Sequence, residues 1–486
     1  MKAAGPDGIP NEFYKEGGIK IKEGLTNLFV KIIEDTETPE EWSKVAVTLI
    51  HKGGNKSKKK IENYRPIAVT NNINNIFCGI LKEKIGNIIE ENNIIGEEQN
   101  GFRKDRRGTE NLFILNELIE KAKKENKEYV CAFLDIEKAY DTVSREALWA
   151  ILRKIGIQEN IIKVIEKLYK NTMADFTLGN IKVKGVKSTR GLRQGCTMSP
   201  LLFSIFLEEL NQRIKKTGLG IKINEDILSL LLFADDAIIV AENLEDLQKM
   251  LQEVDRYSKE LQINFGANKC KIMILNNKQE NGTPRREIKL NGTALEIVKE
   301  YKYLGLTIED SGLSKEKIMT RSKAEKKNAI INSKIHFRAN KYEVSRGMWK
   351  GWAVPAIMYG MEIIPINQAE QKGLEVVQNK MARACLGANN YAATQALRGE
   401  MGWSSFEERI NKAKIGYEIR LEKMNENRWA EKILNWTRDS SKFKAEAKKR
   451  RNKEKIKLEM ENNEVKIKIN DEEIQGCEKR IRLQIE

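Results

Sequence analysis

Asp235 and Asp236 stand side by side in LLLFADDAIIVAE (230–242), with Leu230, Leu231, Leu232 and Phe233 before them and Ile238, Ile239 and Val240 after them. Two ionised carboxylates buried unpaired in such a run would cost roughly several kcal/mol each, so something must compensate them. A hundred residues upstream, Asp135 closes another apolar run in FLDIEKAYD, and Asp141 follows six residues later. If the strand ending at Asp135 lies beside a hairpin carrying Asp235 and Asp236, the cluster suits hard divalent cations. These take oxygen ligands and, for Mg²⁺, share coordination with substrate phosphates. Two such ions about 3.5–4 Å apart support in-line phosphoryl or nucleotidyl transfer. A lone aspartate at a strand end is more often a turn or cap residue, and Asp141, just before TVSREAL, reads as a helix N-cap. The adjacent pair is harder to explain structurally.

The elements that must position these residues follow from periodicity. TENLFILNELIEKAKK (109–124) has apolar residues at helical spacing, and YVCAFLDIE then shortens to a β-rich run, a helix followed by a buried strand ending at Asp135. ALWAILRKIGI and IIKVIEKLYKN read as amphipathic helices, TLGNIKVKGVKSTRG as a hairpin, and SPLLFSIFLEELNQRI as a helix with Pro200 in its first turn. ILSLLLF and AIIVA are β-like runs joined through Ala234–Ala237, which puts the two carboxylates at or near a tight turn that partners can reach from solvent. EDLQKMLQEVDRYSKEL reads as a helix, and KIMIL, EIKLNGTALEIV and YKYLGLTIE as strands. The first hundred residues, with VAVTLI (45–50) and PIAVT (66–70), suggest strands and small helices joined by basic loops, and from about residue 313 to 436 the pattern is helical.

Composition narrows the partners. The chain has 486 residues, 40% of them hydrophobic, and a net charge of +16, which suits a folded protein with a polyanionic partner, nucleic acid first and an acidic membrane surface second. Six cysteines without Cys-x-x-Cys spacing and two histidines, His51 and His336, suggest neither a disulfide framework nor a zinc site, and fit a reducing compartment. No apolar run approaches the ~18 residues of a membrane helix and the N-terminus is not a signal peptide, so no membrane partner is expected and an intracellular protein is. The stretch Lys442–Lys455 carries eight basic and two acidic side chains.

The order of the motifs goes further. AGPDGIP (4–10), NYRPIAV (63–69), EEQNGFRKDRRGTENL (97–112), FLDIEKAYDTV (133–143), GLRQGCTMSPLLFSIFLEEL (191–210), LFADDAIIVA (232–241), NFGANKCKIMIL (264–275) and YKYLGLTI (301–308) together resemble the reverse transcriptase domain of non-LTR (LINE-type) retrotransposons. AVPAIMYGMEIIP and NKMARACLGA are more loosely similar to the helical thumb of the same elements.

The resemblance implies an α+β right-hand polymerase fold, with a palm whose antiparallel sheet carries the carboxylates, fingers around it and a helical thumb. Residues 1–310 would be fingers and palm, 311–440 thumb and connection, and 441–486 a basic tail. It implies that Asp135, Asp235 and Asp236 bind two Mg²⁺ ions, with Mn²⁺ as a substitute, and catalyse RNA-directed DNA synthesis. Tyr140 matches the gate against the sugar 2′-hydroxyl, although on residue type alone it reads equally as core. Gln194 and Gly195 match the motif lying against the incoming nucleotide and template, and a glycine suits close backbone approach to a ligand. Arg65 matches the arginine that grips the triphosphate, a role for a planar fork of donors. Lys269 matches the lysine that protonates pyrophosphate, with Lys271 close enough in sequence to leave the choice open. Tyr303, Leu304 and Gly305 resemble the primer grip.

The implied partners are an RNA template, a DNA primer or target DNA, and deoxynucleoside triphosphates, with action in the nucleus and transit through the cytoplasm as a ribonucleoprotein. Cys196 stands where serine is common and Cys270 where threonine is common. Neither an upstream endonuclease nor a Cys/His knuckle is visible, so nicking is expected from another domain or protein. The alternative is an inactive polymerase-derived RNA-binding or maturase-like protein, against which the three aspartates argue.

Overall fold

The computed structural model describes residues 4–53, 56–278, 286–335 and 340–437. The basic stretch from Lys442, His336 and Cys477 lie outside them. The chain divides into two units, Met1–Gly312 with Asn425–Trp436 in the first and Leu313–Met424 in the second.

The first unit is built on a five-stranded sheet in the order Glu296–Ile297, Lys271–Leu275, Tyr129–Asp135, Asp236–Ala241, Leu230–Phe233. All neighbours are antiparallel except the short edge pair Lys271–Leu275 with Glu296–Ile297. Its central strand is enclosed along Tyr129–Leu134, which explains why it reads as an unbroken apolar run and not as an alternation. Helices Ser199–Lys216 and Leu244–Leu261 pack on the sheet, as does Gly108–Glu125. Val130, Ala132, Leu134, Ile239 and Ala241 from the strands join Phe203, Phe206, Val254 and Tyr257 from two of these helices in one core.

A second sheet runs Tyr64–Val69, Lys44–His51, Met173–Leu178, Ile181–Lys187. The parallel Lys44–His51/Met173–Leu178 pair joins segments distant in sequence.

Two local expectations need correction. The first hundred residues hold long helices, Gly18–Asp35 and Asn72–Glu91, and not only small ones. The latter is rich in Asn and Gly, which disfavour helix, yet buries Phe77, Leu81, Ile85 and Ile89 on one stripe. Tertiary burial overrides propensity there. Asp141 is not the cap of the following helix. Ser144 is, its hydroxyl accepting from Ala147 N at 3.3 Å, while Asp141 lies in the short helix Ala139–Thr142.

The second unit is helical. Ser314–Ile335 and Gln368–Leu386 pack together, the latter opened by a capping box in which Asn367 and Glu370 exchange backbone-to-side-chain bonds of 2.9 and 2.7 Å. Trp349 is fully buried and donates from Nε1 to Gln378 Oε1 at 3.0 Å. Helix Trp429–Trp436 belongs to the first unit and packs on Gly108–Glu125. Among the described residues no helix is long and apolar enough to cross a membrane.

Candidate active site

Asp135 and Asp236 are direct cross-strand partners, the last residue of one strand opposite the first of the next. Asp235 occupies the two-residue turn between the paired residues Phe233 and Asp236. The sequence forms this turn because two apolar strands, both enclosed by the fold, meet at a point where the chain reaches the surface. Asp235 and Asp236 are exposed at its tip, and Asp135 is half-buried. Crowding by the protein raises the Asp236 carboxyl to about 6, reinforced by the charges of Asp235 and Asp135. Asp235, exposed at the tip yet crowded on its inner side, is raised first by that desolvation and then by Asp135, against a bond to its own backbone. The three carboxylates therefore repel one another.

One cation does reach them. Lys269 Nζ donates to Asp135 Oδ2 at 2.7 Å, whereas Lys271 Nζ binds Glu296 Oε2 at 2.7 Å. Asp135 N donates to the sulfur of the buried Cys270 at 3.3 Å, and its carbonyl accepts from Gly266 N at 2.9 Å. The turn carrying Lys269 is thereby fastened to the strand end.

Tyr140 stacks on Phe203, with ring centroids 5.1 Å apart and planes at 13°. Its hydroxyl is pushed upward by burial and by the Asp235 charge, which puts it beside the cluster. Gln194 donates from Nε2 to Asp141 Oδ1 at 3.3 Å, and its carbonyl accepts from Ala68 N at 3.1 Å. Gly195 adopts φ +109, and a Cβ there would fall 2.1 Å from Ala68 O. The close neighbour that favours glycine at 195 is thus protein backbone. Arg65, three residues before Ala68 on the same strand, is exposed.

Tyr303 is buried, its hydroxyl accepting from Asn111 Nδ2 at 3.0 Å. Leu304 and Gly305, at φ +44 and +86, form the tight turn of the hairpin Glu300–Tyr303/Leu306–Glu309. This hairpin lies on the sheet through Tyr301, stacked on Phe133 at 4.1 Å.

The profile described as reverse transcriptase (RNA-dependent DNA polymerase) matches residues 52–308, more than half of the chain. The chain belongs to the reverse transcriptase family. It is 26% identical to the Pol polyprotein of the R2 element of Nasonia vitripennis over 64% of this chain and 30% of that one. It is 23% identical to the RNA-directed DNA polymerase of the mobile element jockey of Drosophila melanogaster, over 82% and 44% respectively. To the probable RNA-directed DNA polymerase of transposon BS of the same fly it is 24% identical, over 86% and 47%. The chain thus spans about a third to a half of the length of these relatives. A solved apo telomerase from Candida tropicalis aligns over 86% of this chain and 68% of that one, with 12% identity and a TM-score of 0.43.

Membership of the family makes the fold the α+β right hand of reverse transcriptases, and the five-stranded sheet is its palm. The donor set of the palm fits a hard divalent cation in kind, being three carboxylates of which Asp235 and Asp236 are both raised by burial and by their acidic neighbours. Among the described residues no group of three or more His, Cys, Asp or Glu side chains forms a metal cage by itself.

Several residues around the three aspartates carry no signal in the sequence of the contacts they make. Tyr301 has its hydroxyl pushed up to about 12 by burial and then by Asp135 and Asp236. Arg145 and Arg190 brace the loop that leads to Gln194, donating to Gly191 O at 2.9 Å and Thr142 O at 2.7 Å. Gln99 meets the Ala234–Asp235 turn itself. Only its place inside the motif EEQNGFRKDRRGTE hints at the last.

Proposed function

We propose that the protein is an RNA-directed DNA polymerase that extends a DNA primer, or a strand of nicked target DNA, on an RNA template with deoxynucleoside triphosphates. The reading is carried by the cross-strand pairing of Asp135 with Asp236 beside the turn residue Asp235, in a chain of the reverse transcriptase family. These three carboxylates would hold two Mg²⁺ ions, or Mn²⁺ in their place. When bound, the ions lower the pKa of the primer 3′-hydroxyl and neutralise charge on the triphosphate.

The remaining roles fall to the chain's own groups. The primer 3′-hydroxyl releases its proton to solvent water, its oxygen attacks the α-phosphorus, the bond to the β-phosphate breaks, and Lys269 Nζ gives a proton to the departing pyrophosphate and regains one from solvent. The Tyr140 ring excludes a sugar 2′-hydroxyl, held flat by its stack on Phe203. The exposed Arg65 grips the triphosphate with its planar fork. The Gln194 amide and Gly195 backbone lie against the nascent base pair, and the Tyr303–Leu304–Gly305 turn guides the primer.

By region, 1–310 act as fingers and palm, 311–440 as thumb and connection, and 441–486 as a basic tail. The product forms in the nucleus, with passage through the cytoplasm as a ribonucleoprotein, and target nicking comes from a separate nuclease domain or protein. The test is primer extension on an RNA template with Mg²⁺ and with EDTA. Extension that requires Mg²⁺ and is lost in Asp235→Asn supports the reading, and extension by neither enzyme form rejects it.

A further inference from the structure

The catalytic turn is not shaped by its own residues alone. Ala234 adopts φ +59 while Asp235 does not take a positive φ. A two-residue hairpin of this kind ordinarily has glycine at its first position, because an L side chain is disfavoured in the left-handed region. Here that position carries a methyl group, so an outside hold is required.

Gln99 meets it. Its Oε1 accepts from Ala234 N at 3.0 Å and from Gly101 N at 2.7 Å, and its Nε2 approaches Ala234 O at 3.5 Å. Both Gln99 and Ala234 are buried. The clamp follows the edge of the palm sheet: Leu232 N donates to Glu98 O at 2.8 Å and Asn100 N to Leu232 O at 2.9 Å. Gly101 permits the approach, since a Cβ there would lie 2.1 Å from Ala234 N.

The clamp is itself anchored. The buried Glu98 carboxylate accepts from Asn211 Nδ2 at 3.0 Å and Trp429 Nε1 at 3.1 Å, and pairs with Lys215 Nζ at 3.0 Å. Asn100 Nδ2 donates to Asn111 Oδ1 at 2.6 Å, and Asn111 Nδ2 to Leu232 O at 3.1 Å. These partners sit on three different helices, so the clamp is anchored to the body of the first unit.

We infer that Gln99 is a positioning residue for polymerisation: its side-chain amide holds Ala234 in the left-handed conformation that carries Asp235 and Asp236 into register with Asp135. The inference rests on the proposed catalytic role of those aspartates. It predicts a loss in the chemical step and not in substrate binding, because the Gln99 side chain is buried and bonds the backbone of Ala234 and Gly101.

The test uses Gln99→Met, which keeps the length of the side chain and removes its hydrogen bonds. Single-nucleotide extension, dNTP KM, template–primer Kd, thermal melting and amide hydrogen exchange across 230–241 are measured against wild type and Asp235→Asn. Gln99→Met should slow the maximal rate roughly a hundredfold, the scale of a small misplacement of reacting groups, with KM and Kd unchanged and faster exchange at the turn. Adding Ala234→Gly, which takes a positive φ without strain, should restore part of the rate. A wild-type rate and exchange in Gln99→Met, with Asp235→Asn inactive, would overturn the clamp and leave the catalytic reading standing. So would a fall in rate matched by falls in binding and melting temperature, or no recovery with Ala234→Gly. Full activity in Asp235→Asn would remove the catalytic reading beneath it.

Discussion

Lys269 Nζ lies 2.7 Å from Asp135 Oδ2, across 134 residues of sequence. The bond raises the lysine's pKa, with burial opposing and the charges of Asp135 and Glu137 adding to it. The amine is therefore held protonated beside the carboxylates, as the proposed donation of a proton to pyrophosphate requires. Lys269→Ala should slow single-turnover extension by roughly 10²-fold, the usual contribution of a positioned general acid. Lys271→Ala should have little effect, because its amine is engaged with Glu296. Equal losses in the two variants would withdraw the assignment.

Asp235→Asn should lower extension by roughly 10³-fold or more, as loss of a preorganised charge does, with template–primer binding retained. Its stability should change in the opposite sense. Asp236 is raised to about 6, partly by Asp235, above its ordinary unfolded value. A carboxyl raised in the folded state favours folding below its unfolded pKa, and that contribution fades as pH rises through the folded value. The variant, with less repulsion, should melt at or above the wild-type temperature, by a margin that widens between about pH 4 and 6. A variant that melts lower at every pH would mark Asp235 as structural.

Tyr140→Ala should admit ribonucleotides more readily, reducing the preference for deoxynucleotides by roughly 10-fold or more, on the scale of a lost steric exclusion. The ring is well placed to act as a wall because it is fixed on Phe203. Discrimination is read from the ratio of kcat/KM for the two sugars. A fall in overall rate without a change in that ratio would reduce Tyr140 to a packing residue.

Deleting residues 441–486 should weaken nucleic-acid binding without altering sequence preference. For every single-strand phosphate that the shortened chain no longer neutralises, the slope of log affinity against log salt should flatten by roughly 0.7. The eight basic residues of Lys442–Lys455 set the ceiling for that stretch. A slope unchanged by the deletion would make it a solvated charge run.

That Asp135, Asp235 and Asp236 come together was legible in the sequence, because charge inside an apolar run is a local contradiction that demands an explanation. The central strand, the helices Arg145–Lys154 and Glu159–Lys170 and the helical second unit were legible for a related reason, their hydrophobic spacing being complete within each segment. The helix Asn72–Glu91 was not, since its Asn and Gly residues weaken the local signal and its stability comes from the core it covers.

The choice between Lys269 and Lys271 was also beyond the sequence. Lys271 is committed by pairing with Phe133 in the sheet and by Glu296 at its edge, and Lys269, in the turn before that strand, is left to reach Asp135. Sequence by itself therefore determined the chemical character of the site and the strands that end in it. Tertiary structure alone decided which polar residues are bonded around it. Gln99, Glu98 and Asn111 look like ordinary surface residues until chain segments more than a hundred residues away supply their hydrogen-bond partners, and the cost of burying them is offset only there.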